Sequence, residues 1–322
     1  MSQVIVVGSF NVDHVWRCVE LPAVGATIAG QYSTGPGGKG FNQAVAAARA
    51  GAHTAFVCAL GDDAGGALAR QLAAAEGIDL HAQSSDQPTG TAGIYVDARG
   101  RNSIVIGAGA NGSLDAAPLA ADPALLAGAG VLLAQLESPV ESIEAALSLA
   151  RQAGALTVLN PAPANASSSI GLLGLADVLT PNETEFAALL ARHVGERMDA
   201  DAVAALGGTE LHAWCRTLLP HGSVVVTLGA VGVFVSHPDE QLRGDAAPYY
   251  RIGAESVAVS DTTGAGDAFN GALAAALVRA KPDTACIDHV RFANRYAALS
   301  TERPGAALSM PALAEVQVRF AD

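Results

Sequence analysis

A glycine-rich segment near residue 265 has the residue types and spacing most suited to chemistry. It consists of Gly264, Ala265, Gly266 and Asp267, and an apolar run with four-residue spacing follows, which predicts a helix over 268–280. Glycines at such a turn let successive backbone N–H groups point at one anion, and the helix start adds the positive end of its dipole. A carboxylate beside that anion is suited to take a proton from a hydroxyl that attacks a terminal phosphoryl group.

An ordinary structural interpretation of this segment is open as well. An Asp in the first turn of a helix often only complements the helix dipole, and Gly-Ala-Gly is often only a tight turn. The β-branched run 256–260 before it is typical of a strand, so the sequence predicts a strand, a turn and a helix. The segment alone does not decide between chemistry and structure.

Composition limits the class of protein. The chain has 322 residues, 50% of them hydrophobic and 15% charged, which allows one large α/β domain or two ordinary ones. The 18 Lys and Arg against 31 Asp and Glu leave a net charge of −13, which disfavours a nucleic-acid or anionic-membrane surface. Four separated cysteines without C-x-x-C spacing fit neither zinc nor a disulfide framework, and we expect each to be buried.

Targeting signals are not visible in the sequence. The residues from Met1 to Gln3 lead directly into an apolar strand, without the basic region and apolar core of a signal peptide. Asp122 and Pro123 interrupt the most apolar region, so its uninterrupted runs are too short to span a bilayer. We therefore expect a soluble cytoplasmic protein that binds neither membrane nor nucleic acid.

The first strand is followed by polar residues. Gln3–Val7 is a β-branched run typical of a strand buried on both faces, and Asn11 and Asp13 come soon after it. Ligands gather at the carboxyl ends of strands in open parallel sheets, which places both residues in a candidate site. A polar turn capped by Asn and Asp is an equally good interpretation.

A second glycine-rich segment opens the first helix. Gly38 lets the backbone approach a ligand closely, Lys39 and Asn42 supply donors, and the alanine-rich helix ends at Gly51. The segment is not a Walker A loop, because Gly40 occupies the position that needs Ser or Thr.

A hairpin interrupts the alternation of strands and helices. The segments 90–96 and 102–106 alternate in polarity across a turn, and with 21–34 they predict a small β lid formed by about 12–36 and 90–108. The pattern Gly107-x-Gly109-x-x-Gly112 fits a dinucleotide fingerprint, which suggests an NAD-dependent oxidoreductase as a second class of function. No clear helix follows it and no βαβ unit precedes it, so we interpret it as a flexible hinge.

The rest of the chain alternates regularly and predicts an α/β fold. Glu137 follows one predicted strand. Asn182 and Glu185 follow another and have the spacing of a capping box, and the alternative is that these two residues hold water around a magnesium ion. The turn 229–232 fits an adenine or phosphate contact or an ordinary glycine hairpin. The predicted strands are 54–60, 131–136, 156–159, 177–179, 223–228 and 233–236, and the predicted helices end near 76, 153, 219, 299 and 320.

Six segments in order resemble the PfkB carbohydrate kinases over essentially the whole chain. The two signatures are Gly37-Gly38-Lys39-Gly40-x-Asn42-Gln43-Ala44 and Asp261-Thr262-Thr263-Gly264-Ala265-Gly266-Asp267. The other four are Gln135-Leu136-Glu137-Ser138-Pro139, Asn160-Pro161-Ala162-Pro163, Thr180-Pro181-Asn182-Glu183-Thr184-Glu185 and Thr227-Leu228-Gly229. Each segment is weak alone, and the ordered set is specific.

The resemblance implies one three-layer α/β/α domain over 1–322, of the ribokinase-like fold, with a small β-sheet lid that often serves as the contact of a homodimer. It implies ATP-dependent phosphorylation of the ribose 5-hydroxyl with magnesium, and a monovalent cation, usually potassium. Another pentose, a ketohexose or a ribonucleoside is the alternative acceptor. A non-catalytic sugar-binding protein on the same fold is disfavoured, because it has no reason to retain Asp267 beside phosphate.

The resemblance also implies roles for individual residues. Asp267 would be the general base, with Gly264, Ala265 and Gly266 as the anion hole. The sugar would contact Asn11, Asp13, Gly38, Lys39, Asn42 and Glu137. Asn182 and Glu185 would act near phosphate and magnesium, and Thr227, Gly229, Gly232 and Asn294 would line the ATP site. The monovalent cation would lie at Asp261, Thr263, Ser300, Arg303, Gly305 and Ser309, mostly through backbone carbonyls.

Three departures from the family pattern are visible, one beside the sugar loop, one in the cation loop and one outside the motifs. Phe41 replaces a small Ala beside the sugar loop, so an effect on pocket volume is expected. Pro304 stands in the cation loop, and an insertion around 192–208 lies outside the motifs.

Overall fold

The structure is a computed structural model and describes residues 3–281 and 284–321. The ends of the predicted domain, 1–2 and 322, lie outside the described residues. The strands are β1 (Gln3–Val7), β2 (Asn11–Arg17), β3 (Gln31–Gly37), β4 (Thr54–Gly61), β5 (Asp79–Ser85), β6 (Gly90–Val96), β7 (Asn102–Gly107), β8 (Ala129–Ala134), β9 (Leu156–Leu159), β10 (Val178–Leu179), β11 (Ser223–Thr227), β12 (Val233–Ser236) and β13 (Tyr249–Ile252). The helices are α1 (Lys39–Arg49), α2 (Ala64–Ala75), α3 (Ala117–Ala120), α4 (Pro123–Ala127), α5 (Val140–Gln152), α6 (Ile170–Gly174), α7 (Glu183–His193), α8 (Ala200–Val203), α9 (Gly208–Leu218), α10 (Ala265–Val278), α11 (Cys286–Ser300) and α12 (Leu313–Arg319).

The strands form two sheets. The main sheet has nine strands in the order β13-β12-β11-β10-β9-β8-β1-β4-β5, and β12 runs antiparallel to both of its neighbours. The remaining pairs in it are parallel, so the carboxyl ends of β1, β8, β9, β10 and β11 meet at one edge. The second sheet has four strands in the order β3-β2-β6-β7. Ligand sites of open α/β sheets form at the edge where such carboxyl ends meet.

The main sheet is buried on both faces, which explains its nearly continuous apolar strands. In β1, Val4 and Val6 face a cluster that includes residues of α1, α10 and α11. Ile5 and Val7 face the opposite cluster, formed with α5, α7 and α9. Successive side chains of a strand point to opposite faces, so this alternation produces three layers. The predicted three-layer α/β/α fold is confirmed.

Helices α1 and α10 carry the two glycine-rich motifs and pack very closely. A Cβ at Gly271 would lie 2.4 Å from the carbonyl oxygen of Gln43 and 2.5 Å from the Cβ of Ala46. Glycine is therefore required at this crossing, where only a hydrogen atom fits between the helices. The close approach brings the first turn of α10 against the first turns of α1.

Several sequence-based assignments of structure are wrong. Residues 256–260 form no strand, because no neighbouring strand pairs with them. The segment 253–260 is irregular, and the N–H of Ser260 donates to Thr301 O at 2.8 Å. Asn11 and Asp13 lie within β2 and not in a turn after β1. Strands β5 and β13 were not predicted; β5 is a polar edge strand and lacks the apolar run of a buried strand. Cys18 is half-buried, whereas the other three cysteines are buried as expected.

The second sheet overlaps the predicted lid segments. Its outer strand β7 is exposed along its whole length. Trp16 stacks on Tyr95 and packs at a tilt against Tyr32, with ring centroids 5.3 Å apart in each pair. That this sheet closes over the site stays a prediction. Among the described residues, no helix combines the length and apolar character needed to cross a membrane.

Candidate active site

The glycine-rich turn before α10 is fixed by its backbone conformation. Gly264 has a φ of 76°, and a Cβ there would lie 2.8 Å from the Cβ of Ala306. Ala265 and Gly266 open the helix, where the first N–H groups have no intrahelical acceptor. Ala265 N–H makes a 3.2 Å turn bond to Thr262 O, which leaves the N–H of Gly266 at the helix start suited to an anion.

Asp267 is buried directly behind this turn, with 7% of its surface exposed. Asn42 Nδ2 donates to its Oδ2 and Gln43 Nε2 to its Oδ1, both at 2.9 Å. Burial raises the pKa of Asp267, while Lys39 and the two amide donors pull it down. The carboxylate is thus held rigidly and is more basic than an exposed one, as a general base requires.

Two cavities meet at the start of α10. The larger has a volume of about 460 Å³ and extends between the irregular segment 253–260 and α11. The smaller has about 160 Å³ and is lined by Asp267 and Lys39. The residues that line both are Asn182, Thr227, Thr262, Ala265 and Gly266. Gly266 therefore lies at the junction, where a group can pass from the larger cavity to the smaller.

The larger cavity suits a flat ring and contains the residues expected at the nucleotide. Thr227, Gly229, Gly232 and Asn294 all line it, and Asn294 Nδ2 donates to Gly253 O at 2.8 Å, which fixes the wall. Gly232 has a φ of 109°, and a Cβ there would lie 2.0 Å from Ile252 O. The apolar part of the lining is formed by Val233, Val257, Val259, Phe269, Ala297 and Ala298.

Carboxylates crowd the region around Lys39. Glu137 Oε2 accepts from the N–H of Lys39 at 3.0 Å and from Ser9 Oγ at 2.6 Å. Burial pushes the pKa of Lys39 down, but the nearby carboxylates outweigh burial and raise it. Lys39 is therefore a positive charge at the boundary between the smaller cavity and Glu137.

Asp13 has the most clearly perturbed carboxyl group in this region. Burial, with repulsion from Glu137 and Asp267, raises its pKa to about 7. Its carboxylate lies against Gly37, where an added Cβ would be 2.2 Å away. The charge repulsion places Asp13 in one electrostatic cluster with Glu137 and Asp267, and its role at the sugar stays a prediction.

Asn11 is held by a residue that sequence reasoning missed. Asn111 Nδ2 donates to Asn11 Oδ1 at 2.8 Å and to Phe10 O at 3.0 Å, while Phe10 N–H donates to Asn111 Oδ1 at 3.0 Å. Gly38, with a φ of 86°, completes the close packing, since a Cβ there would lie 2.8 Å from the N of Asn11. The only sequence signal for Asn111 was its place inside the glycine pattern 107–112.

Asn182 and Glu185 form the predicted capping box at the start of α7. Asn182 Oδ1 accepts from Glu185 N–H at 2.8 Å, and Glu185 Oε2 accepts from Asn182 N–H at 2.9 Å. Glu185 also lines the smaller cavity, and burial raises its pKa. A buried carboxylate at the rim of a polar cavity fits magnesium, which keeps several waters and needs few protein ligands. The cap therefore does not remove the alternative role.

Comparison with known proteins decides the family. The sequence pattern of the pfkB family carbohydrate kinases matches residues 1–313. The chain belongs to this family. It is 38% identical to the ribokinase of Haemophilus influenzae over 95% of this chain and 94% of that one, and 37% identical to that of Mus musculus over 96% and 92%. The structure of Arabidopsis thaliana ribokinase complexed with ribose and ATP superposes with a TM-score of 0.81 at 29% identity, and the match covers 100% of both chains. The structure of Giardia lamblia ribokinase superposes with a TM-score of 0.85 at 29% identity, and the match covers 99% of this chain and 100% of that one.

The loops that the family resemblance assigns to a monovalent cation lie side by side in this kinase. Asp261 Oδ1 accepts from Thr263 N–H at 2.9 Å, and its Oδ2 accepts from Gly305 N–H at 3.0 Å. Burial raises the pKa of Asp261, but these hydrogen bonds outweigh burial and lower it overall. The side chain of Arg303 pairs with Glu315 of α12, so its backbone carbonyl is the group left for a cation.

The hydroxyls of the two serines assigned to the cation also bond within their own segments. Ser300 Oγ donates to Ala297 O at 2.8 Å, and Ser309 Oγ donates to Ala306 O at 2.7 Å. Backbone carbonyls therefore remain the donors that suit potassium here.

Two expectations from the sequence, one at Phe41 and one at the glycine pattern 107–112, are not supported by the structure. Phe41 is buried in the core, with its ring 5.1 Å from that of Phe10 and 6.0 Å from that of Phe56, and it lines neither cavity. The expected effect on pocket volume is not supported, because the ring points into the apolar layer. The glycine pattern at 107–112 contains a short 3-10 helix, Gly109–Ser113, and opens no dinucleotide-binding helix, which removes the basis for an oxidoreductase.

Proposed function

We propose that this chain is an ATP-dependent ribokinase that transfers the terminal phosphoryl group of ATP to the 5-hydroxyl of ribose. The observation that carries the proposal is the junction of two cavities at the start of α10, with Asp267 on the acceptor side of the junction. Relatives that are ribokinases match nearly the full length of the chain and support the choice of ribose. Another pentose, a ketohexose or a ribonucleoside remains the alternative acceptor.

In this proposal the sugar lies between the lid sheet and the first turns of α1. Asn11, Asp13 and Glu137 accept hydrogen bonds from its hydroxyls, while Asn42, Lys39 and the backbone at Gly38 hold its oxygens. Asn111 fixes Asn11, so the lid strand β2 and the loop at 109–113 act together. Asn42 Oδ1 is a buried acceptor without a partner among the described residues, which suits a sugar hydroxyl.

The reaction moves one proton and one phosphoryl group. Asp267 takes the proton of the 5-hydroxyl as its oxygen bonds to the terminal phosphorus, and the bond from that phosphorus to the bridging oxygen of ADP breaks. The turn of Gly264, Ala265 and Gly266 stabilises the charge on the transferred oxygens, chiefly through the N–H of Gly266, and Lys39 adds positive charge beside them. The rigid contacts of Asp267 keep the base in place, and its burial keeps bulk water away.

Cations complete the charge balance in this proposal. Glu185, with Asn182 beside it, would hold hydrated magnesium, which neutralises phosphate charge. Carbonyls near Asp261, Thr263, Ser300, Arg303, Gly305 and Ser309 would hold potassium, which steadies the turn that carries the anion hole. Thr227, Gly229, Gly232 and Asn294 would contact the rest of ATP.

We further propose one domain over 1–322, a cytoplasmic location, where ATP is available, and a homodimer through the lid sheet. The support for the dimer is the exposed apolar strand β7, where Ile104, Val105 and Ile106 are 49%, 66% and 50% exposed. An open edge strand of this kind pairs readily with another chain.

ADP release, coupled to an optical readout, tests the function. The acceptors are ribose, deoxyribose, fructose, adenosine and inosine, and ribose is expected to give the highest kcat/KM. Asp267→Asn is expected to lower kcat by about 10²- to 10⁴-fold with little change in KM, because it removes the base and little else. Asp86→Asn, an exposed change outside both cavities, is the control. Turnover of Asp267→Asn near that of the wild type would exclude the assigned base.

A further inference from the structure

A chain of buried amides lies behind the general base. Gln43 and Gln135 are fully buried, and Asn160, Thr180 and Asn270 are 6%, 1% and 2% exposed. They come from α1, from the carboxyl ends of β8, β9 and β10, and from α10. Most buried polar side chains are hydrogen-bonded, and among the buried side-chain atoms of these five residues only Gln135 Oε1 lacks a partner within the described residues.

The hydrogen bonds of this side-chain network run in one direction, which is set by a backbone carbonyl. Thr180 O can only accept, so Asn160 must present Nδ2 to it, at 2.9 Å. Asn160 Oδ1 then faces Gln43 Nε2, at 3.1 Å, and Gln43 Oε1 accepts from Gln135 Nε2, at 2.6 Å. Each amide is therefore fixed in one of its two orientations.

The fixed orientation has a consequence for Asp267. Both hydrogens of Gln43 Nε2 are used, one by Asn160 Oδ1 and one by Asp267 Oδ1. Gln43 cannot turn to offer its oxygen to a protonated Oδ1 without breaking its bonds to Asn160 and Gln135. Oδ1 of Asp267 is thus held as a hydrogen-bond acceptor in every state of the site.

The other oxygen of Asp267 has an adaptable partner. Oδ2 accepts from Asn42 Nδ2, but Asn42 Oδ1 has no partner within the described part of the chain. This amide can turn over and accept from Oδ2 once that oxygen carries a proton, and a sugar hydroxyl that donated to Asn42 Oδ1 then accepts from Asn42 Nδ2 instead. The two oxygens of the carboxylate are therefore not equivalent.

We propose that Gln43 is a positioning residue that keeps Oδ1 of Asp267 as a permanent acceptor and makes Oδ2 the oxygen that receives the sugar proton. The inference rests on the proposed kinase function and goes beyond it. The far end of the network supports the same geometry: Thr180 Oγ1 donates to Asn270 Oδ1 at 2.5 Å, and Asn270 Nδ2 donates to Gly266 O at 2.8 Å. The base and the anion-binding turn are thereby tied to the same strand ends.

Gln43→Met removes the donor and keeps the length of the side chain. Asp267 must be ionised to act, and the lost donor stabilised its ionised form, so the acid limb of the kcat profile is expected to move up by about one pH unit. At pH values below that limb, the kcat of the variant is expected to be about tenfold lower than that of the wild type, and at high pH the two values are expected to be equal. The KM for ribose is expected to stay within about twofold, because Gln43 lines neither cavity.

Charged groups from four elements face Asp267 and are unchanged in these variants. They are Lys39 of α1, Glu137 after β8, Glu185 of α7 and Asp13 of β2. Gln135→Met is the matched control, because it places the same side chain in the same buried network and leaves the bond from Gln43 to Asp267 intact. Its acid limb is expected at the wild-type pH.

The outcomes separate this inference from the proposed function. An unmoved acid limb in Gln43→Met, with activity lowered equally at every pH, would mean a structural role only and would overturn the inference. If that variant does not fold, Gln43→Glu is measured instead; its acid limb is expected to move up further, and an unmoved limb again overturns the inference. Failure of the wild type to phosphorylate ribose would refute the function before any variant is compared.

Discussion

Asp13 is expected to destabilise the protein when no sugar is bound. It lies in the lid strand β2, where burial and the negative charges of Glu137 and Asp267 raise its pKa from 3.8 to about 7. The unfolded chain keeps an ordinary Asp pKa, so the folded state binds this proton more tightly. The substitution Asp13→Asn replaces the carboxylate with a neutral group of the same shape, equivalent to the protonated form.

The sign and size follow from proton linkage. A carboxyl group whose folded pKa is raised contributes stability below about pH 4, and this contribution is lost as the pH rises through about 7. A rise of about three in pKa corresponds to about 4 kcal/mol, and residual solvent access to the carboxyl lowers the expected effect to about 2–4 kcal/mol. Asp13→Asn should therefore raise the free energy of unfolding by that amount at pH 8.5 and by less than about 1 kcal/mol at pH 4.5.

Urea unfolding of both proteins at the two pH values, without sugar, measures this difference directly. Taking the difference at each pH removes the contribution of titrating groups that do not interact with Asp13, and keeps its coupling to Glu137 and Asp267. The exposed Asp86→Asn is the control and is expected to change stability little at either pH. The same Asp13→Asn protein should bind ribose at least about tenfold more weakly, because an ionised acceptor for a hydroxyl is lost. Equal stability of wild type and Asp13→Asn at pH 8.5 would refute the reasoning.

Three further predictions concern the turn, the cation and the lid. Gly264→Ala is expected to lower kcat and to lower stability by about 1–3 kcal/mol, because the residue has a φ of 76° and its new Cβ would meet Ala306 at 2.8 Å. Steady-state kinetics and urea unfolding measure the two effects, and a fully active variant would contradict the assignment of the anion hole. Replacing potassium by tetramethylammonium should lower kcat more than KM, and equal rates in the two salts would rule out an activating cation at Asp261. Ile104→Glu is expected to convert a dimer into a monomer, which gel filtration detects, and ribose phosphorylation by the monomer is assayed separately. An unchanged elution volume would argue against the lid as the dimer contact.

The sequence predicted best those features that depend on local patterns. The strands at 3–7 and 233–236 and the capping box of Asn182 and Glu185 are confirmed, because apolar β-branched runs and N-cap spacing act over a few residues. The family motifs located the residues now found around the two cavities. Their assignment to individual roles stays a prediction.

The sequence failed where structure depends on a distant partner. The segment 256–260 has the β-branched composition of a strand, yet a strand requires a neighbour, and its backbone bonds to Thr301 instead. Its valines line the larger cavity, a function that their residue type could not reveal. Asn111 could not be assigned either, because its role arises only when its 3-10 helix lies against Phe10.

The charges of the site explain how an acidic protein can bind a polyphosphate. The net charge is −13, and Glu137, Glu185 and Asp267 lie around Lys39, with Asp13 near two of them, so long-range attraction does not bring the anion in. Binding must rely on short-range donors, the N–H groups at Gly266 and its neighbours, and on cations that arrive with the substrate or beside it. In the proposed reaction, the carboxylates that oppose one another in the free protein would gain hydroxyl donors and positive charge when sugar and metal-bound nucleotide occupy the cavities. Substrate binding would thus relieve a repulsion built into the fold, and the carboxylates expected to weaken the free protein are the groups that would hold and activate the acceptor.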